Sequence, residues 1–144
     1  MIQRIQSVFL FLASLSLWSL FKIPFALSDV ETTPFFEDRL FSIQDHSVLL
    51  ALTIIGGLCS FVAIFMFKKR ENQMRLGYVG IICSLFIAIA AFWLIYSNSS
   101  QMSNAVIEDQ IGLYIPIISL ILIIIANMFI KKDVQLVQSM DRLR

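Results

Sequence analysis

The sequence predicts an all-α polytopic membrane protein, with four transmembrane helices in an antiparallel bundle and both termini in the cytoplasm. Three observations carry that prediction. The 144 residues are 58% hydrophobic and only 15% charged, where soluble domains run at about 45–50% and about 25%. Uncharged apolar stretches fill residues 47–67, 76–96 and 111–130, and a further stretch with a single lysine covers 5–27. Each is near the roughly 20 residues a helix needs to cross a bilayer. The short connection holding Lys68, Lys69, Arg70 and Arg75 against Glu71 is the kind that bacterial membranes keep on their cytoplasmic side.

The first span opens with Arg4 ahead of its apolar run. A positive start, an apolar core and small residues at Ala26 and Ser28 also fit a cleavable signal peptide. The run is long for such a signal, so the sequence favours an uncleaved helix over 5–21. Lys22 then reaches the outer interface, and residues 23–27 lie along it. The outer loop of residues 28–46 is acidic, with Arg39 against five carboxylates. Pro34, Phe35, Phe36 and Phe41 are expected to dip it into the headgroup region, a partner-binding patch being the sharper alternative.

The second and third spans, 47–67 and 76–96, are joined by the basic connection and must be antiparallel neighbours. Residues 97–110 form a Ser/Asn-rich outer loop ending in Glu108 and Asp109. The fourth span, 111–130, closes on Lys131 and Lys132. Pro116 removes the hydrogen bond that the Gly112 carbonyl would accept, so a slight bend is expected near its outer end. With this topology Arg4, Lys68, Lys69, Arg70, Arg75, Lys131, Lys132, Arg142 and Arg144 lie inside, with Glu71, Asp133 and Asp141. Outside, only Lys22 and Arg39 face seven acids. That asymmetry places the chain in the bacterial inner membrane with both ends inside.

Helices in lipid gain little by hiding apolar side chains from one another, so small residues that permit close approach should set their packing. Gly56 and Ser60 in the second span and Gly77, Gly80, Ser84 and Ala88 in the third carry that spacing. Cys59 and Cys83 lie at equal depth and read as packed small residues bordering a reducing compartment. Asn127, three residues from the inner end of its span, can reach the interface.

No chemistry is assigned. A net charge of +1 excludes nucleic-acid binding by bulk electrostatics. One histidine and two cysteines within apolar runs do not assemble a metal site, and no phosphate-cradling glycine loop is present. The second, third and fourth spans hold no ionisable residue to serve a transported ion. His46 beside Asp45 reads as an interfacial residue, and the adjacent outer acids as solvated ones. Catalytic residues, cofactors and metals are therefore expected to be absent.

Residues 1–130 thus form the transmembrane domain and 131–144 a cytoplasmic helical tail. Without proline or glycine the fourth helix can continue into that tail, with Leu136, Val137, Met140 and Leu143 on one face. The two ends, Met1-Ile2-Gln3-Arg4-Ile5-Gln6-Ser7 and Lys132-Asp133-Val134-Gln135-Leu136-Val137-Gln138-Ser139-Met140-Asp141-Arg142-Leu143-Arg144, resemble those of an uncharacterised family of small four-helix membrane proteins. That family, DUF4293, occurs in Bacteroidota-type bacteria. Val134 and Gln135 stand where it usually carries acids. The resemblance implies an inner-membrane location and more specified termini than spans, and supplies no reaction.

The expected function is a non-catalytic accessory or scaffold subunit of a larger inner-membrane complex, such as a protein-export or cell-envelope machine. Docking would use the cytoplasmic ends: Gln3, Arg4 and Gln6, with Leu136, Met140, Asp141, Arg142 and Arg144. An Arg–Asp pair there would tie one terminus to the other or to the partner. The alternative is a small permease or lipid-handling protein, with serines and asparagines lining its path.

Overall fold

The computed structural model describes residues 3–28, 40–67, 69–101 and 107–141. Four helices dominate it: α1 Gln3–Ser19, α2 Ser47–Phe65, α3 Arg70–Gln101 and α4 Ile115–Asp141. They pack in a ring, α1 against α2 and α4, and α3 against α2 and α4. α2, α3 and α4 are long and apolar enough to cross a membrane. α1 has 17 residues, about 25 Å at 1.5 Å per residue, short of a hydrocarbon core of about 30 Å. A turn continues it, Phe21 N donating to the Trp18 carbonyl and Ile23 N to that of Ser19.

The basic connection is mostly helix rather than loop. α3 starts at Arg70 and ends at Gln101, overrunning residues 76–96 at both ends. Its first turns are built from Arg, Glu, Gln and Met, all good helix formers, and Glu71 sits where the helix dipole favours an acid. The chain reverses in the turn before it, with Lys69 N donating to the Met66 carbonyl at 2.9 Å. At the far end of the bundle Pro116 does not bend a helix. Ile111–Leu113 forms a 3-10 turn and α4 begins only at Ile115. Pro116 therefore lies in the first turn, where its missing N–H has no intrahelical partner to lose.

That far end is closed by a small sheet which periodicity did not predict. β1 (Ala26–Ser28) lies between β2 (Leu40–Phe41) and β3 (Ile107–Asp109), antiparallel to both. Ala26 pairs with Phe41 on one side and Asp109 on the other. Phe25 N donates to the Phe41 carbonyl at 2.7 Å, and Gln110 N to the Phe25 carbonyl at 3.0 Å. Residues 25–28 are thus pinned into the cap rather than laid along an interface. Phe41 is buried as well, its ring 5.6 Å from that of Phe25, so it does not dip into headgroups. Pro34, Phe35 and Phe36 lie outside the described residues.

These rings join Leu17, Leu20, Ile43, Leu49, Ile87, Ala91, Ile95, Leu113 and Ile115 in the larger of two apolar clusters. The smaller one, Leu10, Ala63, Ala126 and Ile130, lies nearer the other end of the bundle. Asp45 in the first outer connection completes a capping box. Ser42 N donates to its carboxylate at 2.5 Å, and Gln44 N donates to Ser42 Oγ at 3.3 Å.

Candidate functional site

The larger buried polar side chains lie at the end of the bundle where α1 begins and α4 leaves. Gln6 on α1, Gln73 on α3 and Asn127 and Asp133 on α4 are all buried there. The Gln6 amide donates from Nε2 to the Asp133 carboxylate, which clasps the first turns of α1 to α4. Arg70 donates from Nη1 to the Asp133 backbone carbonyl at 3.0 Å, bringing the start of α3 to the same point. A buried carboxylate needs such partners, because desolvation without them is costly.

Beside this clasp runs an open groove of about 560 Å³, lined by Lys69, Arg70, Glu71, Asn72, Val134, Val137 and Gln138. One wall is the charged start of α3 and the other is α4 beyond its lysine pair. Val137 in the lining and Leu136 beside it are exposed.

Of the residues assigned to docking, Gln6 is buried at the clasp, 4% exposed, and so is committed within the chain. Gln3 and Arg4 lie in the opening turn of α1, and Met140 and Asp141 in the closing turn of α4. Arg142 and Arg144 lie outside the described residues. Among the described side chains the tie between the two ends runs through Gln6 and Asp133; the side chains of the expected Arg–Asp pair lie outside the described residues. Nothing in the sequence marks the Gln6–Asp133 pairing, since the partners are 127 positions apart and Asp133 follows two lysines directly.

Of the residues assigned to helix packing, Gly56, Ser60, Gly77, Gly80 and Ser84 are buried, and Ala88 is half-buried. Gly56 faces Cys83, and Gly80 faces Ser60 and Ile123. Ser84 and Ser119 hydroxyls lie 3.5 Å apart, and Ser119 also donates to the Ala13 carbonyl at 3.3 Å. Ile87 and Ala91 continue the buried stripe of α3. Ala88 instead lines an open apolar groove of about 320 Å³ with Ile89, Phe92, Trp93 and Ile117. Both cysteines are free thiols.

Asn127 does not reach the interface. It is 6% exposed and packs against Gly77, and among the described residues neither its Oδ1 nor its Nδ2 finds a hydrogen-bond partner. Equal depth of Gly77 and Asn127 on antiparallel helices is the sequence signal that would have found this contact. No three His, Cys, Asp or Glu among the described residues come close enough to hold a metal ion.

A helical protein with three membrane-length apolar helices and a polar clasp at one end is the class these features define. The chain belongs to the family described as a domain of unknown function (DUF4293), whose model matches residues 2–143. No curated protein and no solved structure matches it.

Proposed function

We propose that this is a four-span inner-membrane protein with both termini in the cytoplasm, serving as a non-catalytic accessory or scaffold subunit of a larger membrane complex. The Gln6–Asp133 clasp carries the reading. It fixes the start of α1 to the point where α4 leaves the bundle, so the last turns of α4 stand on a braced base. Those turns present Leu136 and Val137 at 57% and 46% exposure, an apolar surface suited to a partner helix. The basic residues of that end support its cytoplasmic placement. α1 is the span that needs help, and the turn over residues 20–23 lengthens it toward the far interface.

A path for solute through the centre of one bundle would have to cross the cluster holding Leu17, Leu20, Phe25, Phe41 and Leu49. One observation favours lipid handling as a second reading. Phe11, Ser14, Leu15, Trp18, Leu58 and Phe61 line an apolar groove of about 280 Å³ between α1 and α2, a lining whose chemistry suits an acyl chain.

The test is gentle solubilisation of the native membrane, capture of this protein and identification of what accompanies it in fixed ratio. The capture is repeated with Leu136→Glu and with Arg142→Ala and Arg144→Ala. A stoichiometric complex lost in these variants supports the scaffold. The protein running alone with retained lipid supports the second reading.

A further inference from the structure

We propose that the groove between the start of α3 and the end of α4 binds the headgroup of an anionic phospholipid. The inference rests on the membrane reading above, but not on the existence of a protein partner. Its first support is depth. Arg70 lies six residues before Leu76, where the uncharged stretch of α3 begins, which is about 9 Å along the helix. Val134 and Val137 lie four and seven residues past Ile130, about 6 and 10 Å. The headgroup layer adds about 5–8 Å on each side of the hydrocarbon, so Val134 lies within it and Arg70 and Val137 lie at its outer edge, within side-chain reach of lipid phosphates.

Charge is the second support. Lys69 is exposed at the rim. Arg70 is held in place by a neutral backbone carbonyl, which orients the guanidinium without cancelling its charge. The Asp133 carboxylate bonds to Gln6. Glu71 is the acid in the lining and is exposed to water. Val134 and Val137 give the groove an apolar wall for the glycerol end of the lipid, while the cations face the phosphate. An anionic lipid satisfies both halves of that lining.

The full-length protein in mild detergent would be titrated with phosphatidylglycerol and, separately, phosphatidylcholine, and retained lipid read by native mass spectrometry. Two cations near the surface should give phosphatidylglycerol an advantage of about thirtyfold. Lys69→Gln should reduce that preference, and Lys69→Gln with Arg70→Gln should abolish it. Lys22→Gln, at the opposite end, should leave it unchanged. Equal retention of the two lipids would overturn the proposal, as would a preference that survives the double substitution. So would variants that keep the lipid preference but lose a captured protein, which would assign the groove to that protein instead.

Discussion

Asn127 on α4 lies so close to Gly77 on α3 that a Cβ at position 77 would fall 2.1 Å from the asparagine Oδ1. The asparagine amide would therefore have to move to admit a side chain at position 77. Gly77→Ala should destabilise the protein by roughly 1–3 kcal/mol, the usual cost of overpacking. In an Asn127→Ala background the same change should cost much less, because the obstructing amide is gone. A double-mutant cycle on detergent-solubilised protein would measure this, and additive losses would refute the contact.

The unpartnered amide of Asn127 makes a separate prediction. Replacing a buried polar group that has no hydrogen bond by an apolar one of similar size removes a desolvation cost of about 1–3 kcal/mol. Asn127→Leu should then leave thermal stability unchanged or raise it. A large loss would show that the amide is bonded after all.

At the clasp, Gln6→Ala deprives a buried carboxylate of its donor and should cost roughly 1.5–3 kcal/mol. Asp133→Asn keeps an acceptor for the same amide and should cost less. Proteolysis of the α4 tail in the two variants would read the difference, with Gln6→Ala cut faster. Equal rates would mean that the bond does not brace the tail.

The far cap depends on Phe41. It is 1% exposed and packs on Phe25, so Phe41→Ala should lose about 3–5 kcal/mol. Hydrogen exchange at Ala26 and Leu27 should rise with it, because their strand pairs with the segment that Phe41 anchors. Unchanged exchange would separate the ring from the sheet.

Gly112 is a second position fixed from across the fold. A Cβ there would come 2.1 Å from the Pro24 carbonyl oxygen. Gly112→Ala should push the 3-10 turn off the segment following α1 and lower the midpoint of thermal unfolding by several degrees. Pro116→Ala, in the first turn of α4, should change it little. The reverse order would restore the bend expected from the sequence.

By itself the sequence determined the helical class, the three long apolar helices and the small residues where they approach, because hydrophobic length and residue size are local properties of the chain. It led astray where polar composition was read as loop. Arg70, Glu71, Asn72 and Gln73 begin a helix, since three good helix formers of the four, next to a long apolar run, extend it. The cap was illegible because its strands are two or three residues long, too short to show a period of two, and β1 and β3 come from segments about 80 positions apart. The clasp was hidden for the same reason. Whether Asp133 is a solvated acid or a buried one depends on what α1 brings to it. Only the tertiary packing, which sets Gln6 beside it and Arg70 against its carbonyl, decides that the two ends of the chain are one site.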